Sequence, residues 1–439
     1  SSDMEVNIKI ALGRAEAEGK LTRESRNALL ASMTDAVAAL VLRNNFLQPL
    51  CLTLAVAQGT EENGFAMQLM QSLERRGLLD RKLEFLPSDA VIAERDARGE
   101  GLTRPEFAVL MAYAKLALHE DLLGSPVPDD PYFSRELFRY FPKRMQETYA
   151  SEIASHKLRR EIIATMLSNS MINRGGPAFV TRLAEETGAG VAEIAAASAL
   201  ARDSFRLRAL NTAVDELDNK VEGRIQTELY LDVQALLKLA TVWYLRHERL
   251  TDGLEALTAR YERGIDEVAA RLVEFVPAKS QEEVASRIEE LVKAGIPAEL
   301  AQRFAWQRHV QRAPDAVKIA DETGATIDAV ARALYASAAD LGVDRLIAEG
   351  GKLTAKDFVE RQAINRLLTQ VFNAHRSLVA RAVTEAGTEA NQAWDLWKSH
   401  HAARFGKAQA LLTNLLAERT FTLARLTVAQ GVLYDLVSA

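Results

Sequence analysis

The sequence predicts an all-α, multi-helical fold with a tandem duplication of a helical bundle in its second half. Three observations lead there: apolar residues recur every three to four positions, alternating runs of the strand type are rare, and one residue pattern returns further along the chain at a near-constant spacing. The periodicity is clearest in Leu158, Ile162, Ile163, Met166, Leu167 and Met171, and in Ile225, Leu229, Val233, Leu236, Ala240 and Trp243. Residues spaced this way share one face of an α-helix, and that face has to be buried against something. Alanine is abundant inside these runs while glycine and proline are scarce, which lowers the cost of forming helix. Thr103-Arg104-Pro105-Glu106 places a hydroxyl three residues before a glutamate, the pattern of a reciprocally capped helix start. Lys82-Leu83-Glu84-Phe85-Leu86, ahead of Pro87, is the best strand candidate and reads equally well as a helix end.

Punctuation falls in a few places. Ser125-Pro126-Val127-Pro128-Asp129-Asp130-Pro131 reads as a rigid, turn-rich linker. Asn173-Arg174-Gly175-Gly176-Pro177 breaks a helix, and Val276-Pro277 and Ala313-Pro314 are further stops. These marks predict a helical region over 11–130, one bundle over 131–275, and a second over 276–439 that closes with a long terminal helix near 404–437.

The duplication rests on matched residues. Glu185-Glu186-Thr187-Gly188-Ala189 returns as Asp321-Glu322-Thr323-Gly324-Ala325, an offset of 136 (321 minus 185). The same offset pairs Val191 with Ile327, Ile194 with Val330, Gln226 with Gln362, Leu231 with Leu367 and Leu236 with Phe372. Upstream, Phe141-Pro142 pairs with Val276-Pro277, Gln146-Glu147 with Gln281-Glu282, and Ile153 with Ile288, at 135 (276 minus 141). The physical expectation is two copies of one helical module, stacked so that each covers the other's apolar face.

Length and composition bound the rest. A chain of 439 residues is too long for one ordinary core. With 48 % hydrophobic and 26 % charged residues, it has the profile of a soluble globular protein. Lys+Arg is 54 against Asp+Glu 60, a net charge of −6, which does not suit a nucleic-acid surface. The single cysteine, Cys51, sits in an apolar run and reads as a buried, inert thiol. No run reaches the roughly 18 uncharged apolar residues of a membrane span, and Ser1-Ser2-Asp3-Met4-Glu5 has no signal-peptide character. A cytoplasmic protein with no membrane partner is the expectation.

Catalytic patterns are missing from the sequence. Gly99-Glu100-Gly101 lacks the third glycine of a dinucleotide turn, and there is neither a phosphate loop nor a Gly-x-Ser-x-Gly elbow. Metal ligands are expected to be none: His400 and His401 are adjacent, so on a helix they point about 100° apart. They read as a solvated pair beside Trp394 and Trp397. His119 and His156 read as structural or solvent-facing, and Arg159-Arg160-Glu161 as a helix face with local ion pairs.

Several blocks resemble the large NAD-specific glutamate dehydrogenases of bacteria. They are Ser2-Asp3-Met4-Glu5-Val6-Asn7-Ile8-Lys9-Ile10, Met33-Thr34-Asp35 and Val41-Leu42-Arg43-Asn44-Asn45-Phe46. Gly101-Leu102-Thr103-Arg104-Pro105-Glu106, Ala112-Tyr113-Ala114-Lys115 and the run from His156 to Thr165 extend the likeness, which is specific to about residue 215 and thins beyond about 250. The resemblance implies the C-terminal helical region of an enzyme that oxidises L-glutamate to 2-oxoglutarate and ammonium with NAD. It implies that residues 1–10 end the dinucleotide-binding catalytic core, and that catalytic lysines and NAD-binding glycines lie upstream. On this basis the segment is expected to be inactive alone, with no catalytic or cofactor-binding residues of its own. Ser2, in Ser2-Asp3-x-Glu5-x-Asn7, is similar to the serine that helps hold the substrate carboxylate. The expected partners are the upstream core of the same polypeptide and further copies in a homo-oligomer. Trp394, Leu396, Trp397, Phe405, Leu411, Leu412, Leu415 and Leu416 are read either as a contact surface for such assembly or as the closure of the last bundle. Two other function classes compete: an independent all-α interaction scaffold, and an all-α hydrolase, which has no nucleophile–base pattern to support it.

Overall fold

Thr103 and Glu106 show how directly local sequence becomes structure here: Glu106 accepts the Thr103 backbone N–H at 2.7 Å, and the reciprocal box opens the helix Arg104–Leu123. Helices of this kind make up 82 % of the computed structural model, which describes residues 2–356, 358–418 and 420–438, without the side chains of Ser2, Phe358, Thr388 and Glu389. Among the described residues there are 25 α-helices and no strand. The strand candidate at 82–86 is a turn, because the Asp80 carboxylate captures the Lys82 and Leu83 N–H groups at 2.9 and 3.1 Å. Those donors are then lost to any ladder.

The helix breaks have physical causes. Arg159–Gly175 ends where Gly176 takes φ +99°, and a Cβ on Gly175 would fall 2.3 Å from the Phe179 ring. Pro314 opens the helix Ala313–Thr323 rather than closing one, since a first-turn proline gives up an N–H that has no intrahelical partner anyway. The expected terminal helix is two, Ala402–Ala417 and Leu423–Ser438; Thr422 starts the second by accepting the Arg425 N–H at 3.3 Å. The proline-rich stretch from Ser125 is not a free linker. It forms two short 3-10 turns with Val127, Tyr132 and Phe133 buried. Arg159 and Arg160 hold it through Asp129, and Arg160 also donates to the Leu123 carbonyl at 2.8 Å.

The chain forms two compact units, residues 1–218 with 223–258, and 219–222 with 259–439. At the centre of the first, Arg159–Gly175 packs on Thr34–Ala57, Arg104–Leu123 and Ser134–Tyr140. Ile162, Ile163, Leu167 and Met171 are buried as their spacing predicts, whereas Leu158 precedes the helix and is exposed. Thr34–Ala57 is, among the described residues, the one helix long and apolar enough to cross a membrane by length and composition; its middle carries Arg43, Asn44 and Asn45. In the second unit Phe358–Ala386 packs on Ile327–Leu341, Val343–Gly351 and Leu423–Ser438. Trp394, Trp397, Leu412 and Leu416 are buried there, with the two indoles stacked at 5.2 Å, so these residues close a bundle; Leu411 alone of the expected contact set is exposed.

Each unit contains the same series of four helices. Phe179–Thr187, Val191–Ser204, Leu207–Asp215 and Gly223–His247 in the first answer to Ala313–Thr323, Ile327–Leu341, Val343–Gly351 and Phe358–Ala386 in the second. In both series the first three helices pack on the long fourth. Small details recur as well. Gly188 and Gly324 both end a helix in the left-handed region, at φ +75° and +72°. Thr187 and Thr323 each donate four residues back, at 2.6 and 2.7 Å. Gln146 donates to the Phe141 carbonyl at 2.8 Å and Gln281 to the Val276 carbonyl at 2.7 Å, each folding over the dipeptide that ends in proline. The correspondence between the two series therefore extends to side-chain bonds and not to helix order alone.

Candidate functional site

The N-terminal helix Ser2–Ala17 carries the expected substrate residue. The Ser2 side chain lies outside the described residues, but the anchoring of its helix is clear. His156 Nδ1 accepts the Leu158 N–H at 3.1 Å, so its proton sits on Nε2, which donates to the Asn7 carbonyl at 3.0 Å. Asn7 Nδ2 in turn donates to the Tyr140 hydroxyl at 2.9 Å. Burial holds the His156 pKa below its ordinary value, and the neutral imidazole pins the helix in place.

Met4 of that helix also lines a cavity of about 330 Å³ inside the first unit. Its walls come from Thr34–Ala57, Ser134–Tyr140, Arg159–Gly175, Val191–Ser204 and Leu207–Asp215, and they are rich in arginine. One group gathers on Glu136, a fully buried carboxylate that accepts from Arg139 at 2.9 Å, Arg202 at 2.9 Å and Arg208 at 2.6 Å. Burial alone would raise the Glu136 pKa, but Arg202, Arg208 and Arg139 more than offset it and the net shift is downward. Arg202 also forks onto Asp203, with both bonds at 2.8 Å. The second group gathers on Asp215, which pairs with Arg43 and, at 3.0 Å, with Arg174. Asn44, Asn169, Ser170, Asn173, Asn211 and Thr212 add neutral polar groups to the lining.

Other chemistry-bearing residues have structural tasks. In the second unit Ser337 Oγ lies 2.8 Å from His375 Nε2, the reach of a nucleophile–base pair. Arg312 donates to His375 Nδ1 at 2.6 Å, which puts the imidazole proton on Nε2, facing the serine. That nitrogen therefore cannot take a proton from Ser337, and both side chains are fully buried. The Cys51 thiol is pushed up to about 12 by burial and donates to the Ile172 carbonyl at 3.2 Å. His401 lies 3.1 Å from Glu385 while His400 is exposed, so the two do not converge. Among the described residues no three His, Cys, Asp or Glu side chains gather around one point. Gly101 approaches backbone and not phosphate: a Cβ there would sit 2.9 Å from the Gly59 carbonyl.

The family described as glutamate dehydrogenase, C-terminal, matches residues 99–435. The chain belongs to this family. A second match, to the bacterial NAD-glutamate dehydrogenase catalytic domain, covers residues 1–55. The cavity thus draws Met4, Leu40, Arg43, Asn44 and Leu47 from the stretch similar to the catalytic domain and its other lining residues from the C-terminal family region. An NAD-specific glutamate dehydrogenase of Pseudomonas aeruginosa is 35 % identical across 100 % of the chain, and one of Halomonas elongata 34 % across 94 %. One of Mycobacterium tuberculosis is 32 % identical across 98 %. The chain spans only 26–27 % of the length of these relatives. Sequence reasoning missed the cavity: of its arginines only Arg43 falls in a block singled out by resemblance, because the others are scattered and meet only in the fold.

Proposed function

We propose that this chain is the C-terminal helical part of a cytoplasmic NAD-dependent glutamate dehydrogenase, whose whole polypeptide oxidises L-glutamate to 2-oxoglutarate and ammonium and passes hydride to NAD. The observation that carries the reading is the order of the two matches: a catalytic-domain stretch at 1–55 comes first and the C-terminal family region at 99–435 follows it in the same chain. The role of the segment is architectural, backing the catalytic core and holding subunits together in a homo-oligomer. Thr34–Ala57 supports the first part. It lies mostly within the catalytic-domain match, yet Leu42 is 65 % and Val56 43 % exposed, apolar surface suited to the remainder of the same polypeptide.

The isolated 439-residue chain is expected neither to bind NAD nor to turn over glutamate, because hydride transfer needs cofactor and substrate held in register and no dinucleotide turn is in its sequence. Calorimetric titration with NAD checks this, and a stoichiometric micromolar affinity would overturn it. Ser2 is proposed to hold the glutamate carboxylate in the longer enzyme. Ser2→Ala there should raise KM or lower kcat/KM by about 1–3 kcal/mol, the usual loss for one hydrogen bond to a charged group. Unchanged kinetics would remove Ser2 from the pocket.

A further inference from the structure

We propose that the arginine-lined cavity of the first unit is a binding site for a small dianion whose charge sits on carboxylate or phosphate oxygens. The proposal stands on the cavity alone and does not depend on the dehydrogenase activity.

Charge is the first observation. Arg43, Arg139, Arg174, Arg202 and Arg208 line the cavity, while the carboxylates paired with them are three, Glu136, Asp203 and Asp215. The neighbouring Arg135, which also approaches Asp203, is matched by its own partner Glu255. Five positive charges against three leave an excess of two. Arg174 and Arg202 are the largely buried members, at 15 % and 10 % side-chain exposure, while Arg43, Arg139 and Arg208 reach solvent at 40 %, 39 % and 37 %, so water screens part of the excess and an anion in the cavity would meet the rest. Burial, and then the charge of Arg202, push the Arg208 guanidinium down to about 10.

Hydrogen bonding is the second, independent observation. Arg174 Nη1 and Arg208 Nε are buried donors with no acceptor in the protein. Asn173, only 2 % exposed, lines the same cavity with its Oδ1 unpartnered, and Glu136 Oε2 is likewise unpartnered. Of the fifteen unpartnered buried side-chain atoms among the described residues, four belong to residues that line this one cavity. Two cationic donors seek anionic oxygens, and two acceptors can take a hydroxyl of the same ligand. The guanidinium fork fits carboxylate and phosphate oxygens alike. A volume of about 330 Å³ suits a compact ligand and is too small for a dinucleotide.

The test is a calorimetric titration of the 439-residue chain at low ionic strength with inorganic phosphate, succinate and malate, each alone. At least one should bind saturably with one site per chain, and the one that does distinguishes a phosphate source from a carboxylate source. Arg43 and Arg208 keep 40 % and 37 % of their side-chain surface exposed, so Arg43→Gln and Arg208→Gln should fold, which circular dichroism verifies. Each should weaken binding by about tenfold or more, the expected loss of a hydrogen bond to a charged group. Arg224→Gln, an exposed position outside the cavity, should leave it unchanged. Weakening in whichever of the two variants folds supports the site. No saturable heat with any of the three anions overturns the proposal, as does binding of equal strength in the folded cavity variants, the Arg224 control and the parent chain.

Discussion

Acidification should destabilise the chain from about pH 6.5 downward, before most carboxylates take up protons. Three buried histidines cause the early onset. His309 is pushed down to about 4 by burial and then by the charge of Arg308. His375 is held well below its ordinary value by burial and then by Arg312, and His156 is lowered by burial. In the unfolded chain each takes a proton near 6.5, the ordinary value, while the folded chain resists it. The unfolded state therefore binds more protons. The stabilisation is fully present above 6.5 and is lost as pH falls, for His309 down to about 4. Each such histidine contributes a slope of about 1.4 kcal/mol per pH unit within its window. Urea midpoints at about pH 7.5 and about pH 5 measure the loss. His375→Gln offers both an acceptor for Arg312 and a donor for Ser337 but cannot titrate, so it should flatten the acid limb by one proton. An acid limb as steep as that of the parent chain would show that His375 is not a source.

Glu136→Ala should cost about 3 kcal/mol of stability, the low end for breaking a buried pair, because Arg139 and Arg208 are partly exposed and Arg202 keeps Asp203. Arg139, Arg202 and Arg208 share this carboxylate, and of the three Arg202 has Asp203 as a further close partner, at 2.8 Å. Glu136→Gln keeps an acceptor without the charge and should fall between the parent and the alanine variant. Breaking the exposed Arg224–Glu228 pair with Arg224→Ala provides the contrast, with an expected loss of about 0–1 kcal/mol. Denaturant unfolding of the three variants separates the cases. A Glu136→Ala chain within about 1 kcal/mol of the parent would mean that the arginines find other partners.

Both effects arise from residues that no local pattern marks. What the sequence by itself determined was written in short-range chemistry. Apolar spacing decided helix over strand. The Thr103–Glu106 pair set a helix start three residues long, and Gly188 and Gly324 set two equivalent helix ends. The repeat was legible because its devices, such as Gln146 folding back on Phe141 and Gln281 on Val276, operate within five residues and so return wherever the local sequence returns. The strand alternative at Lys82–Leu86 fails for a local cause as well: the Asp80 side chain takes two of the backbone donors a ladder would need. Tertiary structure alone decided the rest. Trp394 and Trp397 carry the same side chains whether they close a bundle or form a surface, and only packing shows that they are buried. Ser337 and His375 are 38 residues apart, and the proton position that keeps them from acting as a catalytic pair depends on Arg312, another 63 residues from His375. Arg43 meets Asp215 across 172 residues. The burial, charge balance and proton position of such groups are set by neighbours that only the folded chain supplies, so they cannot be read from the order of residues along it.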